Sequence, residues 1–254
     1  MTRKRTLAAA ALTALIATPA AAEETPITVR VISQGAKFIG SSMGGAEITV
    51  ANAHTGEVLD TGVTSGGTGD TERIMRTAHT RGTPLSTGGA AKFTTTLDLD
   101  TPTKVRVTAR GPVAQEQAAN TVSQTQWIVP GKGITGGDAW RLRMPGFVVD
   151  VRDPAASADI GDTQVTLQAN VTMMCGCPIT PGGTWAAERY EVAAILEHDG
   201  KKLREVPLSY AGTASQFAAE VKLETPGGYT ATVYAHDPET GMTGLDRTTF
   251  AIEP

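Results

Sequence analysis

The sequence of 254 residues is poor in the features that mark helical proteins, membrane spans and hydrolases. Helical periodicity is nearly absent beyond residue 22, which excludes a helical bundle. The apolar run Leu7–Ile16 is too short to cross a bilayer, so no transmembrane anchor is predicted. No H-E-x-x-H stretch occurs, and no base with an orienting group can be identified around a nucleophile. We therefore predict no catalytic residues and a non-enzymatic protein.

Cysteine is scarce as well, and the first residues of the sequence indicate the compartment in which the two cysteines would be found. Arg3–Arg5 precede the apolar run, and Ala20–Ala22 supply an A-x-A cleavage pattern, so residues 1–22 are predicted to be a signal peptide. No cysteine lies near the cut to carry a lipid anchor. The mature protein is expected in the periplasm or outside the cell, where an oxidising environment favours pairing of the two cysteines, Cys175 and Cys177.

Charge limits the class of partner. The formal net charge is −4, and removal of the three basic residues before the cut changes it to −7. A surface of that sign repels polyphosphate, so nucleic acid and anionic membranes are not expected to bind. Another exported protein is the partner class that remains.

Period-2 alternation recurs between clusters of Gly, Pro, Asn, Asp and Thr, which predicts an all-β chain. Five strands are predicted in the first half and seven in the second, and Asp199-Gly200 between two of them is a strong hairpin signal. The predicted strands are 27–32, 46–52, 57–64, 91–99, 104–109, 147–151, 164–173, 190–198, 202–210, 217–223, 229–237 and 247–252.

Seven strands in about 110 residues suit one immunoglobulin-like sandwich. Alternation lapses in a stretch with four glycines before Trp140 and a proline after it. The sequence therefore predicts two β-sandwich domains in tandem after the signal peptide. Their predicted bounds are 25–128 for the N-terminal sandwich, 129–146 for a flexible linker and 147–254 for the C-terminal sandwich.

Two segments carry resemblances to known families. Gly45–Asp70 has a glycine leading into a strand, a Thr55-Gly56 hairpin and a second strand ending in a glycine-bearing turn, and it resembles carboxypeptidase-regulatory-like (transthyretin-like) sandwich domains. The insertion Thr71–Ala90 is longer than such domains usually carry. The segment from Pro226 to Ile252 looks like the last hairpin of bacterial immunoglobulin-like domains. Both resemblances imply modules for binding, spacing or folding support.

The sulfur-rich stretch Met173–Cys177 is the strongest candidate for chemistry. Val165, Leu167, Ala169 and Val171 occupy one face of the preceding strand, and Met173, Cys175 and Cys177 continue that series if the strand persists. Met174 would point the opposite way. Thiolates beside thioethers suit Cu(I) and exclude Mg²⁺ or Ca²⁺.

The six predicted metal ligands combine this stretch with two histidines of the same half. They are Met173, Met174, Cys175, Cys177, His198 and His236. Met174 is predicted as an exchangeable ligand, and a closed zinc site would need nitrogen donors such as the two histidines. His236 is predicted on the outward face of its strand, so it would join the cluster only if it lies at the same end of the sandwich.

A disulfide between the two cysteines is hindered on an extended strand, because Cα atoms two residues apart are roughly 6.6 Å apart and the side chains run parallel. A bridge would require the backbone to fold at Gly176. Three functions follow. The first is soft-metal binding or delivery, with Cu(I) as the predicted cofactor. The alternatives are a thiol-redox or sulfur-accepting factor, and a passive interaction module in which the cysteines fix a loop.

Other signals are interpreted as structural. Met75 and His79 are spaced like two donors on one helical turn but lie in an arginine-containing polar excursion. Gly40–Glu47 is glycine-rich without a following helix, so it is predicted to connect strands. The acidic loop His236–Asp246 does not match the helix-loop-helix calcium pattern.

Overall fold

A computed structural model describes residues 22–254, so the predicted signal peptide lies outside the described residues apart from Ala22. Within the described range the chain is nearly all β, as predicted, with four sheets arranged as two sandwiches. The helical pieces have three to five residues each, and none is long and apolar enough to cross a membrane.

The first sandwich has seven strands in two sheets. One sheet has the order β4-β1-β7 and the other the order β3-β2-β5-β6. The strands are β1 (Glu23–Ser33), β2 (Glu47–Asn52), β3 (Val58–Val63), β4 (Phe93–Leu99), β5 (Thr103–Gly111), β6 (Asn120–Ile128) and β7 (Trp140–Met144). Val105, Val107 and Ala109 of β5 are fully buried while Arg106 between them is exposed. This alternation places one face of the sheet in the core.

The second sandwich has nine strands, again in two sheets, with orders β13-β14-β10-β8 and β12-β11-β15-β16-β9. The strands are β8 (Phe147–Asp153), β9 (Ala158–Ile160), β10 (Gln164–Met173), β11 (Glu191–His198), β12 (Lys201–Pro207), β13 (Ser209–Tyr210), β14 (Gln216–Lys222), β15 (Gly227–His236) and β16 (Thr243–Ile252). All seven strands predicted for this half are present.

Two local features of the second sandwich follow from its sequence. The β11–β12 hairpin turns at Asp199 and Gly200, whose φ angles of 47° and 75° are those of the turn favoured by the right-handed twist of the strands. Tyr229 lies near the start of β15, and its hydroxyl donates to the Thr225 carbonyl oxygen at 2.8 Å. A tyrosine bonded back to the preceding corner is a feature of immunoglobulin-like sandwiches.

The segment predicted as a flexible linker, 129–146, is different in the structure. It contains β7, which pairs in parallel with β1 from Val29↔Trp140 to Ser33↔Met144. Trp140, Leu142 and Met144 are buried in the first core, and their alternation with two arginines is that of a strand with one buried face. Only Pro145 and Gly146 separate β7 from β8.

The long insertion after β3 is anchored to the segment before β7. Asp138 accepts hydrogen bonds from the backbone N–H groups of Leu85, at 3.1 Å, and Ser86, at 2.8 Å. Its carboxylate also pairs with Arg141 at 2.7 Å. These bonds connect the insertion to the segment that leads into β7.

Candidate functional site

The sulfur-rich stretch forms a tight hairpin after β10. The Gly176 N–H donates to the Met173 carbonyl oxygen at 2.8 Å, and the Met173 N–H donates to the Cys177 carbonyl oxygen at 3.2 Å. Gly176 has φ of +72°, the left-handed conformation that glycine adopts without strain. This is a three-residue loop with a left-handed third residue. The strand ends at Met173, so the condition under which Cys175 and Cys177 would continue its core-facing series is not met.

Because the chain turns at Gly176, the cysteines are brought together as a disulfide. Their Cα atoms are 5.3 Å apart, within the usual range for a bridge. The 6.6 Å expected for an extended strand does not apply to a hairpin. Both residues are buried, Cys175 at 2% and Cys177 at 4% exposed, and both belong to the core of the second sandwich.

The two methionines before the cysteines diverge as their positions in the strand predict. Met173 lies in the core of the second sandwich and Met174 in the core of the first. A third methionine, Met43, reaches the hairpin from the first sandwich, where it packs against the same core as Met174. A Cβ atom added at Gly176 would lie 2.5 Å from Met43 Sδ. The hairpin therefore lies at the seam between the two sandwiches.

The two histidines of the predicted metal set lie at opposite ends of one sheet. Glu191 at the start of β11 pairs with His236, and His198 at its end pairs with Tyr229. Seven residues of strand separate the two rungs, roughly 24 Å. The His198 ring packs against the Tyr229 ring with centroids 4.6 Å apart and planes tilted by 32°, and its Nε2 lies 3.3 Å from the Pro226 carbonyl oxygen.

His236 lies at the same end of the sandwich as the hairpin. It pairs with Thr243 at the start of β16, while Phe147 pairs with Met173 and lies against Gly244. The core-facing residue of that strand end is Ala235, so His236 is on the outward face, as predicted.

The six predicted ligands are thus not assembled into one site. The two cysteine sulfurs are bonded to each other, the methionines face different cores, and His198 is at the far end of its sheet. Within residues 22–254, no group of three His, Cys, Asp or Glu side chains is arranged to hold a metal ion.

A second set of contacts joins the sandwiches beside the hairpin. The Trp185 Nε1–H donates to the Gly35 carbonyl oxygen at 3.0 Å, and Ala36 of the first half is buried in the core of the second sandwich. Trp185 is buried, as is Trp140, whose Nε1–H donates to Gln124 Oε1 at 3.0 Å. Trp127, in contrast, is 60% exposed.

The segments interpreted as structural behave as such. Gly40–Gly44 matches the G-x-S-x-G spacing of a nucleophile elbow, but it forms a short turn between β1 and β2 rather than a strand-to-helix turn. Met75 packs against the second core. Asp237 is buried and accepts hydrogen bonds within its own loop, from Glu239 N and Thr240 Oγ1. These bonds explain the acidic loop as a turn.

No family model matches this chain, and no curated protein matches it. Three solved structures illustrate what the fold is similar to. An engineered protein is 19% identical, with a TM-score of 0.33. The match covers 50% of this chain and 24% of the engineered protein. Fibronectin(III)-like modules of Clostridium thermocellum CbhA are 10% identical, covering 89% of this chain and 90% of theirs, at a TM-score of 0.29. A DUF3823 family protein from Bacteroides uniformis is 10% identical, with a TM-score of 0.28, and the match covers 91% of this chain and 100% of that protein.

Proposed function

We propose that this protein is an exported, non-catalytic binding module in which Cys175 and Cys177 form a structural bridge. One observation carries the proposal. Both sulfur atoms are used in a bond inside the second core, in the same hairpin that places Met174 in the first core. A bridge at that position fixes the hairpin that packs against both sandwiches, and the sulfur atoms are not available for coordination.

Burial argues against the thiol-redox function. Thiol-disulfide exchange requires a thiolate to reach one sulfur of the bridge in line with the bond. Cys175 and Cys177 are 2% and 4% exposed, and Trp185 belongs to the same core. An attacking thiol would have to open the seam first, so the bridge is suited to a structural role.

The surface supports binding of another exported protein. One exposed side chain, Trp127, is of the type that most often anchors protein interfaces, and five exposed aliphatic side chains add apolar surface to the two sandwiches. The six residues are Val58, Val63, Trp127, Val129, Leu203 and Leu245.

The test combines intact mass with recovery of a partner. Protein purified without chelators should be two hydrogens lighter than the reduced chain, should resist thiol alkylation and should carry no metal. Tagged protein should recover another exported protein in constant ratio from the exporting cell, and removal of copper should leave that recovery unchanged. Free thiols, bound copper or the absence of any stoichiometric partner would overturn the proposal.

Cu(I) binding by the reduced form is the second candidate, and Met43 is the observation that favours it. Its sulfur lies against Gly176, so reduction of the bridge would place two thiolates close to a thioether from the first sandwich. The ligand set is then Cys175, Cys177 and Met43, with Met173 and Met174 on either side of the seam.

A further inference from the structure

Among residues 22–254, strand β6 is the longest strand at a sheet edge, with nine residues, and its sequence and register lack the features that usually prevent pairing with another chain. It lies at the end of the sheet β3-β2-β5-β6 and pairs only with β5, in unbroken register from Gly111↔Asn120 to Thr103↔Ile128. Its sequence, NTVSQTQWI, has no charge, proline or glycine. Seven of its nine residues are exposed. A long, uncharged, unbulged edge is a template for strand addition.

Every other edge strand in residues 22–254 is shorter and has a protective feature. β12 has two lysines, an arginine, a glutamate and a proline, and its register with β11 shifts. β8 has Asp150, Arg152 and Asp153 and a register shift against β10. β7 has two arginines, β4 has Asp98, and β3 has Asp60 and Gly62. β9 and β13 have three and two residues. The absence of protection is therefore specific to β6.

The backbone groups available at this edge can be assigned. The Thr121 N–H donates to Asn120 Oδ1 at 2.8 Å, so it is directed away from β5. Backbone groups alternate between the two sides of a strand, which directs those of Ser123, Thr125 and Trp127 to the free edge as well. Outside the pairing with β5, the described part of the chain supplies these three residues with no backbone partner.

We propose that the β6 edge binds the β6 edge of a second copy of this chain, antiparallel and about a twofold axis through Gln124. This register places Trp127 opposite Thr121 of the partner subunit and Ser123 opposite Thr125 of the partner subunit. Cross-strand pairs of an aromatic with a β-branched residue are favourable, and so are pairs of serine with threonine. The two four-stranded sheets then join into one, and a closed twofold contact leaves neither β6 edge free.

Charge is the reason for choosing a second copy as the occupant. Twofold pairing places each side chain opposite one from the same strand, so a charged edge such as β12 would oppose like charges. β6 has no charge to oppose. Lys104 and Arg106, which form no ion pair among residues 22–254, lie on β5, one strand away from the edge. The edge is therefore complementary to itself.

Space for the partner strand exists on the inner side of the edge. A groove of about 580 Å³ lies beside β6, lined by Gln124, Gln126, Trp140 and the loops at 82–84 and 136–139. Side chains of an added strand alternate between its two faces, so those of one face would enter this groove. Gln124 would meet Gln124 of the partner subunit there.

The assignment goes beyond the proposed function and is independent of it. Self-association through β6 would persist in a protein that binds nothing else, and loss of the dimer would leave the apolar residues of the second sandwich free for another exported protein. Failure of one proposal is thus distinguishable from failure of the other.

Sedimentation equilibrium of the mature protein over a wide concentration range tests the proposal. The wild type should form a dimer, and Ser123→Lys with Thr125→Lys should raise the dimer dissociation constant by about tenfold or more, because lysines would then lie directly opposite each other. The matched control is Thr94→Lys with Thr96→Lys, which alters two exposed residues of edge strand β4 and should leave the constant unchanged. Circular dichroism and thermal melting establish that both variants are folded.

A covalent test does not depend on the lysine variant. Gln124→Cys should form an intermolecular disulfide on mild oxidation, because the Cα atoms of a non-hydrogen-bonded pair lie about 4.5 Å apart, within the range for a bridge. A wild type that stays monomeric throughout, a dimer that responds to the β4 variant instead, or a photo-crosslinker at Thr125 that attaches only to a different protein would each overturn the proposal.

Discussion

Met173 and Met174 are adjacent in sequence, yet their side chains are buried in the cores of different sandwiches, each at 1% exposed. Successive side chains of a strand point to opposite faces, so two adjacent residues at the end of β10 contribute side chains to two different cores. The hairpin that follows is closed by the Cys175–Cys177 bridge. This arrangement joins the sandwiches by packing as well as by the chain connection.

Truncation of each methionine should therefore loosen a different sandwich. Met173→Ala and Met174→Ala are each expected to cost about 2–5 kcal/mol, because each leaves a cavity in a closed core. Hydrogen exchange should show faster opening of β10 and β14 for the first variant. For Met174→Ala it should show faster opening of β2 and β5 in the other sandwich. Identical patterns for the two variants would contradict the division of the hairpin between two cores.

The bridge itself should contribute little to stability, and the glycine inside it more. Replacement of both cysteines by alanine is expected to cost about 1 kcal/mol, because a bridge that closes so small a loop removes little entropy from the unfolded chain. Gly176→Ala should cost more, since φ of +72° is strained for alanine and its Cβ would meet Met43 Sδ at 2.5 Å. Urea unfolding of the two variants gives the comparison.

A double variant separates the two effects at Gly176. Combining Gly176→Ala with Met43→Ala removes the steric contact but not the backbone strain, so the combined cost should be less than the sum of the separate costs. Strict additivity would mean that Met43 does not lie against the hairpin.

The strands of the second sandwich could be predicted because each has one buried face, as in β10, where Val165, Leu167, Ala169 and Val171 are buried. Strand β6 is not predicted from the sequence, because it does not have one buried face. Most of its residues are exposed on both faces, so it shows no alternation of apolar and polar residues. β7 does alternate, but it has five residues between glycine-rich and proline-containing stretches. Its partner β1 lies more than a hundred residues away, and such long-range pairing is not encoded locally.

The sequence predicts which way the side chains of the candidate site point, but it does not predict that the two cysteines form a disulfide. Period 2 predicts that Met173 faces the core and that Met174 points the opposite way, and they lie in the cores of the second and the first sandwich. Cys175 and Cys177 also lie in the second core, but the hairpin, not a continued strand, places them there. The bridge depends on where the strand stops, which is decided by the turn at Gly176 and its contact with Met43. The wide separation of His198 from the hairpin depends on the β11–β15 register, which the sequence of neither strand specifies.

Competition for Cu(I) distinguishes the two candidate functions. The oxidised protein is expected not to compete with a chromogenic Cu(I) chelator, because thiolates rather than bridged sulfurs bind soft metals. If the reduced form is the functional one, it should take up one Cu(I) per chain. Uptake should then disappear in Cys175→Ser with Cys177→Ser and weaken in Met43→Ala. His198→Ala is the matched control and should have no effect, since His198 lies at the far end of its sheet. Equal uptake by the double serine variant would remove Cu(I) as a candidate.

Asp138 should make the anchoring of the insertion sensitive to acid. Burial raises the pKa of its carboxyl, but hydrogen bonds from Ser86 and Leu85 and the charge of Arg141 outweigh burial and hold that pKa below its usual value. A carboxyl with a lowered pKa in the folded state stabilises that state above its unfolded pKa of about 3.9. The contribution is lost as pH falls through the lower, folded pKa. Asp138→Asn should therefore cost about 2 kcal/mol at neutral pH. The cost should shrink as the pH is lowered below about 4.

Urea unfolding of wild type and Asp138→Asn from neutral to acid pH measures that dependence, and limited proteolysis locates it. Cleavage should increase within 71–90, because Leu85 and Ser86 lose the carboxylate that accepts their N–H groups. The matched control is Asp98→Asn in β4. Asp98 is exposed and forms no ion pair among residues 22–254, so its replacement should leave the free energy of unfolding unchanged at neutral and at acid pH. A difference between wild type and Asp138→Asn that is constant with pH would show that the asparagine acts through shape rather than charge.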